Sequence, residues 1–254
     1  MNDSVIDVNH MTVHYHRNKA IEDVTFSMPG GQIIGVIGPN GAGKSTLMKA
    51  MLGLEKYKGQ VSFFGQSIQQ IRKEVAYVPQ RSSIDWDFPV LVRDVVLMGR
   101  YMHIPWYGKV SKEDRNIAHD ALMKTGMASF SDRQIGELSG GQQQRVFLAR
   151  ALAQKANIFF LDEPFVGIDM QSEEIIMSIL RQLKNEGKTL FVIHHDLSKV
   201  DQYFDQLILL NRQLIRSGSV KDVYTPELLK KAYGGQAAVL PGNGNESFMV
   251  VSPS

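Results

Sequence analysis

Gly38-Pro-Asn-Gly-Ala-Gly-Lys-Ser45 has the residue types and spacing for phosphate chemistry. Glycines let a backbone turn sharply and approach an anion with no Cβ in the way. The pattern G-x-x-x-x-G-K-[ST] describes a loop whose N–H groups surround nucleotide phosphates, with the lysine on the β- and γ-phosphates and the hydroxyl on Mg²⁺. Lys44 and Ser45 hold those places here. Upstream, Ile33-Ile-Gly-Val-Ile37 reads as a short buried strand; downstream, Ser45 to Leu52 reads as a helix that Gly53 stops. The helix start adds its partial positive charge to the anion site. A nucleotide phosphate site therefore falls on Gly38, Pro39, Asn40, Gly41, Ala42, Gly43, Lys44, Ser45 and Thr46.

Two further groups fit the same chemistry. Ile158-Phe-Phe-Leu161 is followed by Asp162-Glu163, two carboxylates where an apolar strand leaves the core. Alone, such a pair is a common strand end. Beside Lys44 and Ser45 it reads as a site, with Asp162 on Mg²⁺ through water and Glu163 orienting and deprotonating the attacking water. Leu138-Ser-Gly-Gly-Gln142 leads a helix, so the N–H groups of Ser139, Gly140 and Gly141 form a second anion site.

The elements that position these groups alternate. Strand patterns fill residues 4 to 37 and recur at Val61–Phe64, Val75–Val78, Ile158–Leu161, Thr189–Ile193 and Gln206–Leu210. Helical patterns run from Arg93 to Arg100, Ser111 to Thr125, Gln142 to Gln154 and Ser172 to Glu186, and Thr225-Pro226 starts a last one that ends near Tyr233. Strands alternating with helices imply an α/β fold with a mainly parallel sheet, and with the Gly38–Ser45 loop this is expected to be a P-loop NTPase core. An antiparallel β region precedes it and a helical subdomain, about 81–145, is inserted. The expected organisation is one domain over 4–240 and a loose polar tail over 241–254.

Bulk properties exclude other classes. With 28 basic and 26 acidic side chains there is no electrostatic case for nucleic acid, and without cysteine there is no disulfide or thiolate metal site. Met1 to Gly30 shows no basic-then-apolar leader, and no run approaches the ~18 apolar residues of a membrane span. Any membrane role is expected to pass through a partner.

Leu138-Ser-Gly-Gly-Gln142 with Gln143-Gln-Arg145 resembles the signature of ATP-binding cassette (ABC) proteins, and the resemblance runs from about Val5 to about Gly235. It implies an ATPase subunit that uses ATP and Mg²⁺. Tyr15 then takes the place of the aromatic that stacks on adenine, although a strand tyrosine is more often packing. Gln80 takes that of the glutamine that contacts Mg²⁺, and His195 that of the histidine on the γ-phosphate, with His194 structural. The resemblance further implies a head-to-tail homodimer, in which Ser139, Gly140, Gly141 and Gln142 of one subunit close over ATP held by the other. Asp169 matches the loop that crosses this interface; Val166-Gly-Ile-Asp169 lacks the serine many cassettes carry there, and that role is not carried over.

Asp85-Trp-Asp-Phe-Pro89, Val95-Val-Leu-Met-Gly-Arg100 and Phe165–Asp169 resemble the ATPase subunits of manganese, zinc and iron importers. That branch implies integral membrane permease subunits, an external metal-binding protein acting through them, and residence at the cytoplasmic face of the membrane. Trp86, Phe88, Trp106 and Tyr107 read either as a compact cluster for a partner helix or as the subdomain's own core. His10, His14 and His16 suggest a metal site, but no carboxylate is spaced to complete it. The alternatives are a soluble cassette ATPase of translation or DNA repair, a cassette for a non-metal substrate, and a P-loop kinase or GTPase; the Leu138–Gln142 loop and the acidic pair oppose the last.

Overall fold

The computed structural model describes residues 4–16, 18–234, 237–240 and 247–250. Its strands are β1 (Ser4–Tyr15), β2 (Asn18–Pro29), β3 (Ile33–Ile37), β4 (Lys58–Phe63), β5 (Val75–Val78), β6 (Ile158–Leu161), β7 (Thr189–Ile193), β8 (Gln206–Asn211), β9 (Gln213–Ser219), β10 (Ala237–Leu240) and β11 (Ser247–Val250). Its α-helices are α1 (Lys44–Met51), α2 (Ile68–Ile71), α3 (Val92–Leu97), α4 (Lys112–Lys124), α5 (Gly140–Ala153), α6 (Met170–Asn185), α7 (Val200–Tyr203), α8 (Val220–Val223) and α9 (Pro226–Tyr233). The chain forms two compact units, Arg72–Lys188 and, around it in sequence, Met1–Ile71 with Thr189–Ser254.

In the flanking unit, β3 lies between β7 and β8, parallel to both, and β9 adds antiparallel to β8. All five positions of β3 and of β7 are buried, the burial expected of parallel strands covered on both faces. A second, antiparallel sheet has the order β2-β1-β4. In β1 the buried face runs through Ile6 and Val8, then resumes at Met11 and Val13. The odd step falls at His10, whose φ is 52°, where the register with β2 shifts. This bulge returns the apolar residues to one face.

In the unit 72–188, β5 and β6 pair in parallel, and α3, α4 and α5 pack on one another. Ser111 caps α4 in a reciprocal pair with Asp114. Arg100 Nε donates to Asp114 Oδ1 at 3.0 Å and its Nη1 to the Ala153 carbonyl at 3.0 Å. One side chain thereby ties the start of α4 to the end of α5.

The helix expected over Arg93–Arg100 ends at Leu97 and continues as 3₁₀ turns over Met98–His103. Gly99 presses on α5 there: a Cβ would stand 2.2 Å from the Arg150 carbonyl oxygen. The compact unit is wider than the helical segment 81–145, because β5 and β6 belong to it. Within the expected tail, Ser247–Val250 pairs antiparallel with Ala237–Leu240. Residues 241–246 and 251–254 lie outside the described residues.

Candidate nucleotide-binding and hydrolysis site

In the flanking unit, β3 runs straight into the glycine-rich loop. Gly38 has φ 153°, and a Cβ on it would stand 2.0 Å from the Leu210 carbonyl oxygen, so only glycine lets the loop lie on β8. The Ala42 N–H donates to the Pro39 carbonyl at 3.1 Å and closes the turn. Gly43, at φ 92°, caps α1, whose first turn holds no acidic residue to offset the dipole. Lys44 is buried; its Nζ donates to the carbonyls of Gly38 at 2.7 Å and Pro39 at 3.0 Å. The ammonium is thus anchored to the loop that would surround the phosphates. Ser45 and Thr46 are half-buried in the first turn of α1.

Tyr15 is 40% exposed. It lines an open cavity of about 560 Å³ with Asn18, Lys19, Ala20, Glu22, Gly41 and Arg212. Burial pushes the Tyr15 phenol up, against the Thr46 hydroxyl and with the Glu55 carboxylate, so it stays protonated. The two histidines after β7 divide sharply. His194 is buried against Tyr203 and Phe204, while His195 is exposed. Adjacent side chains at a strand end point to opposite sides.

In the unit 72–188, the Asp162 N–H extends the β5–β6 ladder to the Val78 carbonyl at 2.9 Å. Asp162 itself is 1% exposed. The Tyr77 hydroxyl lies 3.5 Å from its Oδ2, and the Tyr77 phenol is pushed far up, by burial first and by the Asp162 charge second. Glu163 has a left-handed backbone, φ 51°. For a side chain of this size that conformation costs about 1–3 kcal/mol and is typical of functional positions. Its Oε2 accepts from Gln80 Nε2 at 2.6 Å, so the ends of β5 and β6 bring together two residues read separately in the sequence.

Ser139 and Gln142 form a capping box at the start of α5: the Ser139 N–H donates to Gln142 Oε1 at 2.9 Å, and the Gln142 N–H to Ser139 Oγ at 3.3 Å. The helix begins at Gly140, two residues before the expected start. The Gln142 amide oxygen is therefore committed to its own helix, while the Gly140 and Gly141 N–H groups stand in the first turn. α6 starts beside it. Asp169 caps α6, accepting from the Ser172 N–H at 2.8 Å and its hydroxyl at 2.9 Å. These bonds, the N–H first, hold the Asp169 carboxyl below its usual range. Arg81, which sequence reading passed over, donates from Nε to Gln143 Oε1 at 3.1 Å; its place directly after Gln80 was the available signal.

The four aromatics do not form one cluster. Trp86 packs edge-on against Phe147, centroids 5.3 Å apart, and its Nε1 donates to the Arg81 carbonyl at 3.0 Å. Trp106 and Tyr107 pair with each other at 5.7 Å and are 95% and 76% exposed. Trp86 has a buried partner in α5; Trp106 and Tyr107 sit on a separate loop. His10 Nδ1 pairs with Asp23 Oδ1 at 2.7 Å. Among the described residues no group of three or more His, Cys, Asp or Glu could hold a metal ion.

A phosphate loop leading into a helix, an Asp-Glu pair at a buried strand end and a capped Ser-Gly-Gly helix start mark a P-loop ATPase of the cassette class. The chain belongs to the ABC transporter family, whose model matches residues 21–166. It is 56% identical over 248 residues to the "Manganese transport system ATP-binding protein MntB" of Halalkalibacterium halodurans, covering 98% of each chain. It is 49% identical over 243 residues to the "Zinc transport system ATP-binding protein TroB" of Treponema pallidum, covering 95% of this chain and 91% of that one. Among solved structures, an ATP-binding cassette of an ABC transporter in its ADP conformation superposes with TM-score 0.76 at 26% identity, covering 91% of this chain and 99% of the other. The chain is an ATP-hydrolysing transporter subunit. No helix among the described residues is long and apolar enough to cross a membrane.

Proposed function

We propose that this chain hydrolyses ATP to drive import of a divalent metal ion, manganese, zinc or iron, through a separate membrane permease. The observation that carries the cargo is the 56% identity, over 98% of both chains, to a protein named for manganese transport. In this reading residues 4–240 work as one ATPase domain, with the helical segment 81–145 as its insert.

Phosphoryl transfer to water is mostly positioning and charge neutralisation. Lys44 neutralises the β- and γ-phosphates, and the N–H groups of the 38–46 loop hold their oxygens. Ser45, Gln80 and Asp162 offer a hydroxyl, an amide oxygen and a carboxylate, hard oxygen donors of the kind Mg²⁺ takes. Asp162, 1% exposed at the end of an apolar strand, is the carboxylate of that set. Bound Mg²⁺ supplies further charge neutralisation on the phosphate oxygens. Gln80 holds Glu163 through its amide nitrogen, which leaves its amide oxygen for the metal. Glu163 orients the attacking water and accepts its proton, and His195 contacts the γ-phosphate. Adenine stacks on Tyr15.

The functional unit is a head-to-tail homodimer, in which Ser139, Gly140 and Gly141 of one subunit close over the ATP of the other. Gln142 contributes there by fixing the helix start. The dimer sits at the cytoplasmic face of the membrane, held by permease subunits that receive metal from an external binding protein. The exposed Trp106–Tyr107 pair is the aromatic surface offered to the permease. A sizing column tests the dimer: Glu163→Gln should dimerise with ATP, and adding Ser139→Arg should abolish that dimer while ATP binding remains. ATP-dependent dimers in the double variant would refute the arrangement.

A further inference from the structure

The β8–β9 connection turns on Arg212, whose backbone is left-handed at φ 58°. Glycine takes that conformation without strain and arginine does not. The backbone of Arg212 has a visible task. Its N–H donates to the Ala42 carbonyl at 2.8 Å, and its carbonyl accepts from the Glu22 N–H at 2.8 Å. The turn is thus strapped to the phosphate loop on one side and to β2 on the other. Glycine would make both bonds, so the strap does not account for the side chain.

Arg212 lines the cavity of about 560 Å³ that Tyr15 and Gly41 also line. Two cations line it, and they differ. Lys19 Nζ pairs with Glu22 Oε1, whereas Arg212 forms no ion pair among the described residues. A nucleotide with its base on Tyr15 and its β- and γ-phosphates at Lys44 lays its ribose and α-phosphate across the interval. The α-phosphate is the anion in that span. A guanidinium is weakly hydrated, planar and matched to phosphate oxygens. We propose that Arg212 is a nucleotide-binding residue whose guanidinium contacts the α-phosphate, an arrangement that rests on the ATP reading of the site.

Arg212→Gly separates the two roles, because it keeps the turn and removes the charge. Calorimetric titration of the full chain with ADP and with the slowly hydrolysed analogue AMP-PNP reads the contact directly. We expect Kd to rise about five- to tenfold for both nucleotides, as for a partly exposed charged bond, with the melting temperature of the nucleotide-free chain unchanged or higher. Added salt should weaken binding less in Arg212→Gly than in the native chain, and Arg212→Lys should fall between them. A loss for AMP-PNP but not ADP would place the contact on the γ-phosphate and overturn the proposal. An unchanged Kd, with normal native binding, would make Arg212 a turn residue only. If the native chain bound neither nucleotide, the ATP reading itself would fall, and the Arg212 contact with it.

Discussion

Gly141 is the position at which a single methyl group should do the most damage. A Cβ there would stand 2.3 Å from Ser172 Oγ, 2.8 Å from Ser172 Cβ and 3.1 Å from Asp169 Oδ2. Relief to an ordinary contact needs a shift of about 1 Å, since carbon packs near 3.5 Å. Ser172 cannot swing clear: it is 4% exposed, and Asp169 holds both its N–H and its hydroxyl. Either α5 lifts from α6 or the cap opens. Overpacking of this kind costs about 1–3 kcal/mol, and loss of an N-cap about 1 kcal/mol more. At roughly 2–4 °C per kcal/mol for a domain of this size, Gly141→Ala should lower the melting temperature by about 5–15 °C without nucleotide. Removing the obstacle should restore much of it, so Gly141→Ala with Ser172→Gly should melt above Gly141→Ala alone. Thermal denaturation followed by circular dichroism reads both variants. A Gly141→Ala protein that melts within about 2 °C of the native chain would refute the tight seat of the α5 start on α6.

Two further expectations follow from named contacts. Glu163→Gln keeps an acceptor for Gln80 but removes the base, so it should bind ATP normally and lose on the order of 10²-fold or more in turnover; near-native phosphate release would contradict the role given to Glu163. Asp114 carries the pH prediction. The Ser111 hydroxyl first, and the Arg100 guanidinium next, hold its carboxyl down at about 2. An unfolded aspartate titrates near ~4. Because the folded value is the lower one, the carboxylate stabilises the fold above about pH 4, and that contribution fades as pH falls toward about 2. Asp114→Asn should therefore melt below the native chain at neutral pH, with the gap closing across that window; a gap independent of pH would contradict it.

Local rules carried the phosphate loop, the caps at Ser111 and Thr225, and the strand that ends in Asp162-Glu163, because each is written within a few consecutive residues. Features that depend on residues far apart in the chain were not legible. Trp86 and Phe147 are 61 positions apart by their numbers, and nothing in either segment announces that one is the other's partner. Gly99 lies against a carbonyl of α5, again a contact no local window contains. The early start of α5 is different: Ser139 and Gln142 have capping-box spacing, so that signal was present. The left-handed backbones of Glu163 and Arg212 run against local preference. For Arg212 the tertiary partner is visible, its N–H bonded to the Ala42 carbonyl.

The most direct test of the central claim is the metal content of cells in which Glu163→Gln replaces the native chain, grown with limiting trace metals and read by elemental analysis. Hydrolysis-driven import predicts a selective fall in manganese, zinc or iron, with the other elements unchanged. Unaltered levels of all three, with ATPase activity confirmed in the native chain and lost in the variant, would contradict metal import and leave only the ATPase.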